Sequence, residues 1–293
     1  MKDELVKALA LDGHVRIYID RTTHMVQEAK ERFDMNPTAT AALGRTLSIA
    51  SMMGSMLKSD QEMLTINING HGPIGSIVVD AYANGNVRGF VSDPQVKDAF
   101  KNGKLDVGAV VGKDGYLSVT KDLNMEQNFK GTVELQSGEI GDDFAYYFTV
   151  SEQTPTAVSV GVLIGTDGNV LSAGGLIIQM MPDASDTDIS ICEHVLEGLK
   201  PMSTIIQEYD DVELSQLAKD LFEDVKIVET REICFSCSCS KERSQEILMT
   251  LPKEDIQKMI DEDGGCEITC NFCNEKYQFS KEELEAILER MNA

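Results

Sequence analysis

The 293-residue sequence has no cluster of lysine and arginine, no apolar run long enough to span a membrane, and no cysteine before position 192. Acidic residues number 49 against 26 basic ones, for a formal net charge of -23. Such a surface repels phosphate backbones and anionic lipid, so neither nucleic acid nor a membrane is an expected partner. The most apolar stretches, Leu47 to Leu57 and Thr156 to Gly165, fall well short of the roughly 20 residues of a spanning helix. The opening Met1-Lys2-Asp3-Glu4-Leu5 has neither the basic flank nor the apolar stretch of a secretory signal. A cytoplasmic location is expected, where thiols stay reduced and a cysteine cluster means metal or redox chemistry.

Enzyme signatures are missing too. His14, His24, His71 and His194 are scattered, and none sits beside a cysteine pair. Gly72-Pro73-Ile74-Gly75 lacks the lysine and the glycine spacing of a phosphate loop. No nucleophile motif or acid pair stands out, so no enzymatic activity is expected. Internal repeats and low-complexity tracts are absent as well.

What remains is ordinary folded material, 42% hydrophobic and 26% charged. At roughly 150 residues per domain it makes about two domains. Residues 1–178 carry 22 acidic and 15 basic side chains, whereas residues 179–293 carry 27 and 11 and hold all seven cysteines.

The first part reads as an α+β domain. His14 to Asp20 alternates as a strand, Thr22 to Phe33 reads as a helix, and Asn36-Pro37-Thr38 starts a second helix running from Ala39 to Lys58. That second helix is small or apolar nearly all round, which places it inside a core covered on several sides. Its Met52, Met53 and Met56 could form an adaptable surface, but their helical spacing favours core packing. Strands are expected at Met63–Asn69, Gly75–Tyr82, Asn86–Val91, Leu117–Thr120, Gly131–Gln136, Ala157–Ile164 and Val170–Gln179, with turns at Asn84-Gly85 and Asp114-Gly115. Many strands with few intervening helices favour α+β over alternating βαβ units.

From Pro182 to about Glu223 the chain reads as short, acidic helices, a connector of modest stability by itself. The expected division is therefore an N-terminal α+β domain at 1–181, a helical metastable linker at 182–230, and a small C-terminal cysteine zinc-binding domain at 231–293.

Cys237-Ser238-Cys239 and Cys270-Asn271-Phe272-Cys273 lie thirty residues apart. Two close thiol pairs suit tetrahedral zinc, each pair placing two sulfurs on one side of the ion. Spacing alone leaves the ligand choice open: Cys234, Cys237, Cys270 and Cys273 make an equally legal set, and Cys266 is a spare. A permanent structural zinc is the plain reading. The Cys-x-Cys pair adds a second: its α-carbons span at most about 7 Å, within disulfide reach, so oxidation could close bonds within each pair and expel the metal. Structural zinc contributes on the order of 10–16 kcal/mol against a total stability of roughly 5–15 kcal/mol, so its loss should unfold the module.

These residues resemble the 33 kDa chaperonin family of bacterial redox-regulated heat-shock chaperones. The resemblance is carried by Phe235-Ser-Cys-Ser-Cys-Ser-Lys-Glu-Arg243 and Ile268-Thr-Cys-Asn-Phe-Cys-Asn-Glu-Lys-Tyr277. It extends through Asn36 to Arg45, Gly70-His-Gly-Pro-Ile-Gly75, Val87-Arg-Gly-Phe90 and Gly174 to Pro182. It implies a reduced, inactive form with zinc on Cys237, Cys239, Cys270 and Cys273. It further implies activation by oxidation, with zinc release and disulfides Cys237–Cys239 and Cys270–Cys273. The active form would be an ATP-independent holdase for unfolding client proteins, commonly a homodimer. Cys192, Cys234 and Cys266 depart from the family pattern, and Cys234–Cys237 or Cys266–Cys270 bonds could compete. Two other classes fit less well: a zinc-ribbon-like protein-binding module without redox switching, and a thiol oxidoreductase using Cys270 and Cys273, which would need a thioredoxin-like βαβ setting.

Overall fold

A computed structural model describes residues 2–292. In chain order the first part runs β1 (Glu4–Ala10), β2 (Val15–Arg21), α1 (Thr23–Phe33), α2 (Pro37–Gly54), β3 (Met63–Asn69), β4 (Ser76–Tyr82) and β5 (Asn86–Val91). A small hairpin of β6 (Phe100–Lys101) and β7 (Lys104–Leu105) leads to α3 (Val107–Val111), β8 (Tyr116–Asp122), β9 (Phe129–Glu134), α4 (Gly141–Val150), β10 (Thr156–Ile164) and β11 (Val170–Met180). Three short helices follow, α5 (Asp186–Glu197), α6 (Met202–Glu208) and α7 (Leu214–Leu221), then β12 (Lys226–Glu232) and β13 (Cys234–Phe235). The last part holds α8 (Lys241–Leu248), α9 (Lys253–Lys258), β14 (Gly265–Thr269), β15 (Lys276–Ser280) and α10 (Lys281–Asn292).

The chain divides into two compact units, Met1–Ser236 and Cys237–Ala293. The first holds two sheets, ordered β10-β11-β2-β1-β12 and β13-β5-β4-β3-β8-β9. Every pairing is antiparallel except that of β13 with β5.

Helix α2 packs against strands of both sheets, and 16 of its 18 residues are buried. A helix covered on two sides has no solvent-facing stripe, hence its lack of a polar face. Asn36 stands extended before Pro37 at the first helical position, where a missing N–H is harmless. Asp98 Oδ1 accepts from the Thr38 amide at 2.7 Å. Gly44 permits the closest approach: a Cβ there would lie 2.7 Å from Val26 Cγ1 and 2.8 Å from Val162 Cγ2. Fully buried Leu43, Leu47, Ile49 and Met52 each contribute about 1.5–3 kcal/mol by leaving water.

The opposite face of the first sheet carries α5, α6 and α7. Val6, Ile17, Ile19, Leu176 and Ile178 of the strands meet Cys192, Met202, Ile205, Ile206, Leu214, Leu217, Ala218 and Phe222 in one core. The 182–230 segment is therefore docked through these residues, although it is rich in exposed acids. Ser185 and Asp188 form a reciprocal cap on α5. Among the described residues no helix is long and apolar enough to cross a membrane.

The second unit has a thin core, Leu248, Ile256, Ile260, Phe279, Leu284 and Ile287, with Cys266, Ile268 and Tyr277 packed against it.

Candidate four-cysteine site

Two backbone devices present the thiols. Cys237 and Cys239 lie in the extended stretch before α8, whose first turn is capped by Ser240 accepting from the Arg243 amide at 3.2 Å. Arg243 Nη1 also donates to Ser238 Oγ at 3.2 Å, which orders the residue between the two cysteines. Cys270 and Cys273 sit at the tip of the β14–β15 hairpin, whose register runs from Gly265 opposite Ser280 to Thr269 opposite Lys276. The tip is closed by Cys270 N donating to Glu275 O at 2.8 Å and by Asn274 N donating to Cys270 O at 2.8 Å. Asn274 adopts φ 59°, a left-handed conformation that asparagine tolerates better than most residues.

The result is one cluster. The Sγ atoms of Cys237, Cys239, Cys270 and Cys273 all lie within 4.8 Å of one another, an arrangement that could hold a metal ion. Two close approaches cross between the sequence pairs: Cys237 to Cys270 at 3.7 Å and Cys239 to Cys273 at 3.2 Å. Burial pushes the Cys270 and Cys273 thiols above the ordinary thiol range, and the Cys237 sulfur adds to the effect on both. Four thiolates so close repel one another, and a cation among them would reverse that balance.

Tyr277 completes the cluster. Its hydroxyl donates to Cys239 Sγ at 3.1 Å, and that bond holds the phenol protonated above its usual range. Sequence reasoning passed over this residue, which lay inside the motif without a role. Its signal is positional: Tyr277 stands one residue into the strand that leaves the hairpin tip, on the return toward the cysteines.

The other three cysteines are not part of the four-sulfur group. Cys234 belongs to β13 in the first unit, and burial raises its thiol. Cys266 lies in β14, packed against the second core, with its thiol likewise raised by burial. Cys192, on the buried face of α5, packs into the core, where burial and then the Asp188 charge push its thiol up to about 11. Cys192, buried and the most strongly shifted, is a poor thiolate and so a poor nucleophile where it stands. Of the histidines, His14 meets Asp188 at 3.0 Å and His24 meets Asp3 at 3.1 Å, both structural contacts.

Comparisons with known proteins cover the whole chain. The Hsp33 protein family model matches residues 3–280. A 33 kDa chaperonin of Bacillus cereus (strain AH187) is 48% identical over 293 residues, covering 99% of this chain and 100% of the relative. The 33 kDa chaperonin of Bacillus anthracis (strain A0248) matches to the same extent. The crystal structure of a 33 kDa chaperonin, a heat shock protein 33 homolog from Thermotoga maritima, superposes with a TM-score of 0.90 at 34% identity, covering 99% of each chain. With the α+β first unit, the four-cysteine second unit and these full-length matches together, the chain belongs to the Hsp33 family of 33 kDa chaperonins.

Proposed function

We propose that this chain is a redox-switched, ATP-independent holdase in the cytoplasm, with Cys237, Cys239, Cys270 and Cys273 as both metal ligands and sensor thiols. The observation that carries the reading is the convergence of those four sulfurs in a member of a chaperone family. An all-sulfur donor set from two close pairs suits zinc. Bound there, zinc would supply the charge that keeps four thiolates ionised and would tie the loop before α8 to the hairpin tip. A six-residue buried core gives so small a unit little stability of its own, so a metal staple is physically reasonable.

On oxidation, each pair gives up two electrons to one peroxide; a sulfur–sulfur bond forms, the oxygen–oxygen bond breaks, and the peroxide leaves as two waters, its two added protons coming from the thiols or, for thiolates, from solvent. Bonds Cys237–Cys239 and Cys270–Cys273 are favoured once the cluster opens, because closing a loop of thirty-odd residues costs more entropy than joining near neighbours. Oxidised sulfurs can no longer hold a metal, and the module at 231–293 loses its fold. The linker at 182–230 then loosens from the domain at 1–181, freeing apolar surface such as Ile205, Leu214 and Leu217 for unfolding client proteins. The active form is a homodimer in this reading.

Peroxide at elevated temperature should release one zinc per chain, and peptide mapping should recover the two near-neighbour disulfides. Cross-pair bonds would refute the pairing. Zinc lost while client aggregation continues would refute the holdase.

A further inference from the structure

Successive side chains of β2 point to opposite faces of the sheet. Ile17 and Ile19 join the core beneath the short helices, and Arg21 donates to Tyr209 O on the same side. Asp20 points the other way, toward α2. It is completely buried, and neither carboxyl oxygen has a hydrogen-bond partner. The Ser51 hydroxyl of α2 and the Gly175 amide of β11 are its polar neighbours, without reaching hydrogen-bond geometry. Ser51 Oγ is itself unpartnered.

The rest of the wall that the structure places near this carboxyl is apolar. A Cβ on Gly175 would lie 2.5 Å from Met52 Cε, 2.9 Å from Val160 Cγ1 and 3.3 Å from Asp20 Oδ1. The carboxyl thus shares with a thioether methyl and a valine the space that the glycine leaves open. An ionised carboxylate there would have only the Ser51 hydroxyl and the Gly175 amide in place of water, too little to offset its burial, and such a group takes up a proton instead.

The charged groups on the surrounding elements do not change this. Just before β1, Asp3 adds like charge, while its own oxygens accept from the His24 and Met25 amides at the start of α1. Lys7 of β1 stands opposite Tyr18, not Asp20, and is held by Ser55 O and Glu229. Tyr18, two residues back on β2, is buried and neutral at ordinary pH. Helix α2 has one charged residue, Arg45, and it pairs with Glu139. Strands β10 and β11 contain no ionisable side chain.

We propose that Asp20 is a built-in proton site: the first unit folds with one proton on this carboxyl and surrenders it to solvent when the layer between α2 and the sheet opens. Burial raises the group's affinity for that proton far above the ordinary carboxylate range. Because the folded state then binds more protons than the unfolded chain from about pH 4 upward, unfolding grows easier as pH rises, by up to roughly tenfold in equilibrium constant per pH unit. Alkaline conditions loosen the layer, and mild acid tightens it.

The test compares the full-length protein with Asp20→Asn, which keeps the shape and removes the titration. The ratio of the unaltered protein's unfolding constant to the variant's, for the first unit, should rise with pH above about 5, and contributions from groups remote from Asp20 cancel. Infrared spectra of protein with isotope-labelled aspartate should show a protonated-carboxyl band at neutral pH that the variant lacks. Should Asp20→Asn fail to fold, Asp20→Leu supplies the same comparison, and the infrared band of the unaltered protein reads the proton directly. A ratio independent of pH, or only carboxylate bands at neutral pH, as a trapped water or cation would produce, overturns the proposal.

Discussion

Arg21, 1% exposed, donates from Nη2 to Glu4 Oε1 at 2.6 Å and from Nη1 to the carbonyl of Tyr209 at 2.9 Å. The same Glu4 oxygen accepts from the Leu214 amide at 3.1 Å. One buried ion pair on neighbouring strands therefore holds the turn between α6 and α7. Removing one partner of such a pair strands the other, at a cost of about 3 kcal/mol or more. Arg21→Met should destabilise the first unit by about that amount and speed amide exchange across residues 202–221. Glu4→Gln keeps an acceptor for both donors and should cost about 1 kcal/mol. Hydrogen exchange read by mass spectrometry checks both.

Acid should release the short helices by a separate route. The Ser185 amide and hydroxyl, followed by His14, hold the Asp188 carboxyl below the usual range; the amides of Leu11 and Asp12 do the same for Asp224. A depressed carboxyl stabilises the fold above its unfolded pKa, and that contribution is lost as pH falls below about 4. Pepsin, which works in acid, should then cut within residues 186–224 before it cuts the sheets. Asp224→Ala should move that cleavage toward higher pH.

These contacts also mark the limit of what could be read from sequence. The buried helix was legible because Ala39 to Lys58 lacks a polar face, and the four cysteines because their spacing is a local property. Strand β1 was not: Glu4–Ala10 pairs with β2 on one side and with β12, more than two hundred residues away, on the other. Helix α4 carries no ordinary start signal. It begins after Ile140 at φ 74°, where Asp143 accepts from the amides of Gln136, Ser137 and Ile140. The choice of Cys239 over Cys234 was left open by spacing. The structure groups Cys239 with the other three because β13 carries Cys234 into pairing with β5.

Tyr277 offers a readout confined to the cluster. A group hydrogen-bonded to a metal ligand typically accounts for a 10–100-fold factor in metal affinity. Tyr277→Phe removes the hydroxyl that donates to Cys239 and leaves the ring packed against the core. Zinc affinity, measured by competition with a chromogenic chelator, should fall by about that factor.

Chelation of the proposed zinc should act on one unit only. The first unit builds its cores from residues outside the cluster, so its thermal transition should survive. Signals from the second unit, including Phe279 and Ile287, should collapse to unfolded positions in NMR spectra. Ile287→Ala should bring that collapse at lower chelator concentration, since a buried isoleucine truncation costs about 2–5 kcal/mol.

The most direct measurement follows zinc release and light scattering together in one cuvette. Reduced, zinc-loaded protein is treated with peroxide at elevated temperature beside an aggregating client. Scattering should be suppressed in step with zinc release, and reductant added before the peroxide should prevent both. Zinc retained under oxidant, or released with aggregation unchecked, would contradict a redox-switched holdase and leave the four cysteines a structural metal site.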